Sequence, residues 1–260
     1  MLQRFRNLLF QYTLFLLFLP VGIPVTVHAS ESNRHDCVIL LHGLARTSSS
    51  MQKLANELDA QGFITVNTDY PSRKHTIEVL ADSVIPESIA ECMKLNPSNI
   101  HFVTHSLGGI LVRQYLSRRD MPVPGRAVFL APPNQGSEVV DTFGDLPGYA
   151  LLNGPAGSQL GTDSRSVPLK LGAINFDLGV IAGTKTFNPI LSQALPNPDD
   201  GKVSVYSARV EGMCAFLTVP VSHPFIMKDD AVIDQVITYF ANGAFNADNA
   251  ERHDCAFNGG

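Results

Sequence analysis

Three short stretches carry side chains that could do acyl-transfer chemistry. Thr104-His105-Ser106-Leu107-Gly108 holds a serine between small or compact residues, and Gly109 follows. A serine hydroxyl becomes a nucleophile only when a base removes its proton and a third group orients that base. Val221-Ser222-His223-Pro224 supplies an imidazole downstream. The other histidine after Ser106, His253, lies in a polar tail beside Arg252. Asp199-Asp200-Gly201 supplies two carboxylates ahead of a turn-forming glycine, and Asp200, directly before the glycine, is the preferred orienting acid. Asp199, Asp177 and Asp163 are weaker candidates. A fourth stretch, His42-Gly43-Leu44, could aim the Leu44 amide at a developing oxyanion, with the Leu107 amide as the second donor. His42 and His105 read as structural hydrogen-bonders. Ser106 has an alternative role as a plain helix cap.

These residues work together only if strands and helices gather them at one edge of a sheet. Cys37–Leu41 is a short continuous apolar run, as expected of a strand buried on both faces. A helix over 49–61 should stop at Gly62, and 63–67 should be a second strand. The spacing of Ile77, Leu80, Val84, Ile85, Ile89 and Met93 predicts a helix over 76–95, kinked or interrupted at Pro86. A third strand over 100–104 runs directly into Ser106, and a helix over 107–117 follows. Strands are expected at 127–130, 179–182 and 216–221. Ile233, Val236, Ile237 and Phe240 mark a closing amphipathic helix. Alternating strands and helices imply an α/β fold with a mostly parallel sheet of about six strands and helices on both faces. The apolar, Gly- and Pro-rich stretch 132–175 reads as a lid or pocket wall inserted between two strands.

In these residues the chain resembles the bacterial lipase and esterase branch of the α/β-hydrolase superfamily. The resemblance rests on Leu41-His42-Gly43-Leu44, Thr104–Gly109, Asp200-Gly201 and Ser222-His223, and spans most of 36–242. It implies a minimal α/β-hydrolase fold, a Ser106–His223–Asp200 triad, an oxyanion hole from the Leu44 and Leu107 amides, and no cofactor. Thr104 departs from the glycine usual two residues before the nucleophile. The implied activity is hydrolysis of carboxylic esters, in particular lipid esters, with a thioesterase, amidase, acyltransferase or catalytically silent binding protein as alternatives on the same frame. The implied partner is a small-molecule or lipid ester, with transient contact with a lipid surface.

Composition sets the outer limits. The chain has 260 residues, 45% of them hydrophobic and 17% charged, with a net charge of −5. Its basic residues are scattered, which argues against a nucleic-acid partner. Arg4 and Arg6, the apolar run from Leu8 to Leu19, and Val27-His28-Ala29 have the layout of a signal peptide over 1–29. Residues 30–260 then form one domain. Cleavage would remove two arginines and no acid, taking the net charge from −5 to −7. The expected destination is the periplasm or the exterior, or a membrane anchor if the segment is kept. His-Asp-Cys occurs at 35–37 and at 253–255, but the spacing lacks metal-ligand pairs and no metal is expected. Four cysteines in an exported chain should form disulfides. With the first and third strands as neighbours, Cys37 and Cys92 fall at the bottom of the sheet. Cys214 and Cys255 fall there too, so the expected bridges are Cys37–Cys92 and Cys214–Cys255.

Overall fold

The computed structural model describes residues 36–186, 189–196 and 198–255. The candidate signal segment, 1–29, lies outside the described residues. The central sheet is built from β1 (Cys37–Leu41), β2 (Ile64–Thr68), β3 (Ile100–His105), β4 (Ala127–Leu130), β5 (Leu178–Gly183), β6 (Ala215–Val219) and β7 (Glu251–Arg252). Their spatial order is β2-β1-β3-β4-β5-β6-β7, parallel throughout except for the antiparallel β6–β7 pair. Among the described residues the sheet thus has seven strands, against an expectation of about six. The added strand is two polar residues long and has no apolar alternation to reveal it.

Side chains alternate across the strands and divide the core into two layers. Cys37, Ile39 and Leu41 of β1 face the layer containing Ile77, Leu80 and Ile85 of α2 (Ile77–Met93) and Ile110 and Leu111 of α3 (Leu107–Leu116). Val38 and Leu40 face the other layer, with Leu54 and Leu58 of α1 (Gln52–Ala60) and Ile233, Val236 and Phe240 of the last long helix (Asp230–Asn242). β1, β3, β4 and β5 are buried along their whole length, which is why β1, β4 and β5 read as unbroken apolar runs.

The α2 helix passes through Pro86 without interruption. Its start is fixed by Thr76, whose hydroxyl accepts from the Val79 amide. Its apolar face stays packed on the sheet both before and after the proline. That packing outweighs the one backbone hydrogen bond a proline removes.

Two disulfides brace the bottom of the sheet. Cys37 at the start of β1 bonds to Cys92 near the end of α2, with Cα atoms 5.8 Å apart. Cys214, just before β6, bonds to Cys255, just after β7, with Cα atoms 4.8 Å apart. The second bridge closes a separation of 41 residues, for which the chain-entropy relation gives about 4 kcal/mol. The tail is also held by His253 N–H donating to the Cys214 carbonyl and by a two-bond Arg209–Glu251 ion pair. Disulfides of this kind persist in oxidising compartments such as the periplasm or the cell exterior. Among the described residues no helix is long and apolar enough to cross a membrane.

Between β4 and β5 the stretch 132–175 folds into three short helices, α4 (Glu138–Phe143), α5 (Tyr149–Ser158) and α6 (Val167–Lys170). A buried Arg113 from α3 ties this stretch down, donating to the carbonyls of Asn134, Pro168 and Gly172. Two further short helices, α7 (Pro189–Ser192) and α8 (Val205–Ala208), flank the Asp199-Asp200 loop, and α9 (Asp230–Asn242) closes the domain.

Candidate active site

Ser106 stands between the last residue of β3 and the first of α3, with φ 53° and ψ −117°. A serine adopts such angles only where its surroundings compel it. Here its N–H extends the sheet ladder to the Leu130 carbonyl at 2.9 Å, while the next residue already belongs to the helix. The side chain is driven out at the top of the turn. Ser106 occupies the N-cap position of α3, yet its hydroxyl makes no capping bond, which disposes of the plain-cap reading.

Small residues make this turn possible. A Cβ on Gly108 would lie 2.8 Å from the Leu41 carbonyl oxygen, and one on Gly43 would lie 2.7 Å from His105 Nδ1 and 3.2 Å from Ser106 Cβ. The β1 and β3 turns therefore touch at two glycines. Thr104, where the motif departs from glycine, is fully buried within β3, facing the space left by the missing side chain of Gly109.

His223 follows β6, and its ring Nδ1–H donates to Asp200 Oδ2 at 2.7 Å. Its backbone N–H donates to the Asp200 carbonyl at 3.0 Å. The other carboxylate oxygen, Oδ1, accepts from the Lys202 and Val203 amides at 2.9 and 2.8 Å. Asp200 is thus fixed in place with both oxygens occupied. Asp199 points elsewhere: its oxygens accept from Gly201 N–H at 2.7 Å and Ser192 Oγ at 2.6 Å. Asp177 binds Arg126 and the Tyr239 hydroxyl, Asp163 binds Arg165, and His253 sits beside Glu251 in the tail. Ser106, Asp200 and His223 all line one cavity of ≈ 380 Å³.

The sequence matches the alpha/beta hydrolase family over residues 38–246. The chain belongs to the α/β-hydrolase family. Solved structures with a similar fold include the mature Bacillus licheniformis lipase BlEst2, at 18% identity and a TM-score of 0.61 over 82% of this chain and 94% of that one. The Aspergillus fumigatus lipase B aligns at 15% identity and a TM-score of 0.59, covering 85% of this chain and 55% of that one. The metagenomic carboxyl esterase MGS0156 aligns at 20% identity and a TM-score of 0.55, covering 80% and 69%. No curated protein sequence matches the chain.

In this α/β-hydrolase the two other histidines near Ser106 are framework. His42 is buried, stacks on Tyr70 with ring centroids 4.0 Å apart, donates from Nδ1 to the Gly43 carbonyl and accepts the Tyr70 amide on Nε2. Burial holds its pKa below the ordinary 6.5. His105 donates from Nε2 to the His223 carbonyl at 3.1 Å, so it steadies the loop that carries His223. Burial above all, then the neighbouring His223, pushes its pKa well below 6.5.

Leu44 lies in the turn after β1, and Leu107 opens α3. Leu107 is the first residue of α3, so its N–H has no acceptor within the helix, and the helix dipole favours an anion there. After β1, the Ala45 amide is bound to Ser72 Oγ and the Arg46 amide to the Gly43 carbonyl. Leu44 itself lines the cavity. Two further lining residues, Arg46 and Lys202, did not stand out in the sequence, although each lies two positions past a named site residue. Among the described residues no group of three His, Cys, Asp or Glu side chains could hold a metal ion.

Proposed function

We propose that this α/β-hydrolase is an exported serine hydrolase that cleaves carboxylic esters, in particular lipid esters, with Ser106 as nucleophile. The observation that carries the reading is the 2.7 Å His223–Asp200 hydrogen bond, set on the same cavity as a serine held at a strained strand-to-helix turn. His223 Nε2 takes the Ser106 proton as Oγ attacks the acyl carbon. The Leu44 and Leu107 amides hold the oxyanion. The carbon–oxygen bond to the alcohol then breaks, and His223 gives its proton to the departing alkoxide. Water, deprotonated by His223, adds to the acyl-enzyme and releases the carboxylic acid and Ser106. Asp200 fixes the imidazole tautomer and stabilises its cation.

The acyl chain lies against the wall contributed by 132–175, where Val139, Val140, Phe143 and Leu160 line the cavity. Leu151 and Leu152 of α5, 86% and 64% exposed, give the same insert an apolar outer surface suited to transient contact with lipid.

Hydrolysis of a nitrophenyl butyrate ester tests this reading. Ser106→Ala and His223→Ala should each lower kcat by about a thousandfold or more, because triad members act as a unit, with circular dichroism unchanged. Activity retained in either variant would remove that residue from the mechanism.

A further inference from the structure

We infer that the ester cleaved at Ser106 carries an anionic phosphate group on its alcohol side, held between Arg46 and Lys202. This rests on the ester-hydrolase reading above and narrows its substrate class.

The turn after β1 and the loop that carries Asp200 each place one cation on the cavity. Arg46 lies two residues past Leu44 and Lys202 two past Asp200; both are solvent-exposed and both line the cavity that contains Ser106 and His223. Among the described residues neither side chain has an ion-pair partner. Asp200 is the cavity's one acid among those residues, and it is fully engaged. Its Oδ2 accepts from His223 and its Oδ1 accepts from two amides.

The cations also feel one another. Crowding by the surrounding protein, and then the Arg46 guanidinium, lowers the pKa of the Lys202 ammonium, with Asp200 opposing. Two like charges facing one cavity repel, and an anion seated between them turns that repulsion into attraction. On a chain of net charge −5 this local positive field is opposite in sign to the whole.

The side of the ester follows from the neighbours. Lys202 belongs to the loop that carries Asp200 and is tied to His223, and His223 is the group that returns a proton to the departing alcohol. The 132–175 stretch supplies the apolar part of the lining, with Val140, Phe143 and Leu160 available to the acyl chain. A phosphate has oxygens enough for cations arriving from two separate loops.

Three esters of one acyl chain test the inference: butyryl glycerol 3-phosphate, monobutyryl glycerol and butyrylcholine, which are anionic, neutral and cationic in their alcohols. The unmodified protein should show a kcat/KM at least tenfold higher for the phosphate ester than for the neutral one, and lowest for the cationic one. The phosphate preference should shrink as salt is raised. In the R46Q/K202Q double variant the anionic-to-neutral ratio should fall toward one, and in Lys202→Glu it should fall below the wild-type ratio. The charge series on the unmodified protein needs no variant to fold. Equal rates on the phosphate and neutral esters, or a ratio unchanged by either variant, would overturn the inference while leaving the ester-hydrolase reading in place. No hydrolysis of any of the three would overturn that reading, and this inference with it.

Discussion

His223 and Asp200 are joined twice, side chain to side chain at 2.7 Å and backbone N–H to backbone carbonyl at 3.0 Å. The backbone bond holds the two loops together and so keeps the ring and the carboxylate within reach of each other. It also separates Asp200 from Asp199, which sequence alone leaves side by side.

Asp200→Asn should therefore lower kcat by about a thousandfold or more, because the amide favours the wrong imidazole tautomer. Asp199→Asn leaves one acceptor oxygen where the Gly201 amide and the Ser192 hydroxyl each use one, and should cost stability of about 1–3 kcal/mol with a much smaller loss of kcat. Steady-state kinetics and denaturant unfolding on the two variants separate the roles. A larger loss of kcat at Asp199 would reassign the acid.

Gly43 touches both His105 and Ser106, with a would-be Cβ 2.7 Å from the first and 3.2 Å from the second. Both neighbours are held by the sheet, so the β1 turn must move instead. Gly43→Ala should lower kcat on the order of a hundredfold, as expected when a catalytic donor is displaced by about an ångström. Kinetics with a neutral ester checks it, and full activity would show that the turn yields freely.

Stability should fall with acid earlier than carboxylates alone would dictate. His42 and His105 are buried with pKa values below 6.5, His105 well below. Once the chain unfolds they regain ordinary values, so the unfolded state binds more protons below 6.5 and stability rises with pH there. Their contribution is full above 6.5 and is lost as pH falls toward the folded values. Asp36 and Glu78, whose pKa values are lowered despite partial burial by hydrogen bonds from His101, Asn99 and Gln159, lose theirs only as pH falls below their ordinary 3.8 and 4.5. Denaturant unfolding between pH 7.5 and 5 should show a slope of up to about 1.4 kcal/mol per pH unit for each excess proton. His105→Gln should flatten it. A flat profile in the wild type would contradict the assignment.

Much of this frame is legible in the residues. β1, β4 and β5 are buried on both faces, so their apolar runs are unbroken and short. Ser106, Asp200 and His223, picked out in that order along the chain, line one cavity. What resisted reading depends on contacts distant in sequence. β7 is two polar residues whose place is set by the Cys214–Cys255 bridge and by pairing with β6. Pro86 breaks a helix by local rules, and only packing on the sheet explains why α2 continues. Asp199 and Asp200 have the same chemistry and adjacent places in the chain, and only the turn decides which of them meets His223. Arg46 and Lys202 lie 156 positions apart in the chain, and nothing local brings them to one cavity.

Labelling with a fluorophosphonate tests the central claim most directly, because the probe reacts only with a serine that is activated. Peptide mass analysis of the labelled protein should find one adduct, on Ser106, formed in step with loss of ester hydrolysis and absent from Ser106→Ala. Ester hydrolysis that survives complete labelling, an adduct on another residue, or no adduct on an active protein would contradict the assignment of Ser106 as the nucleophile.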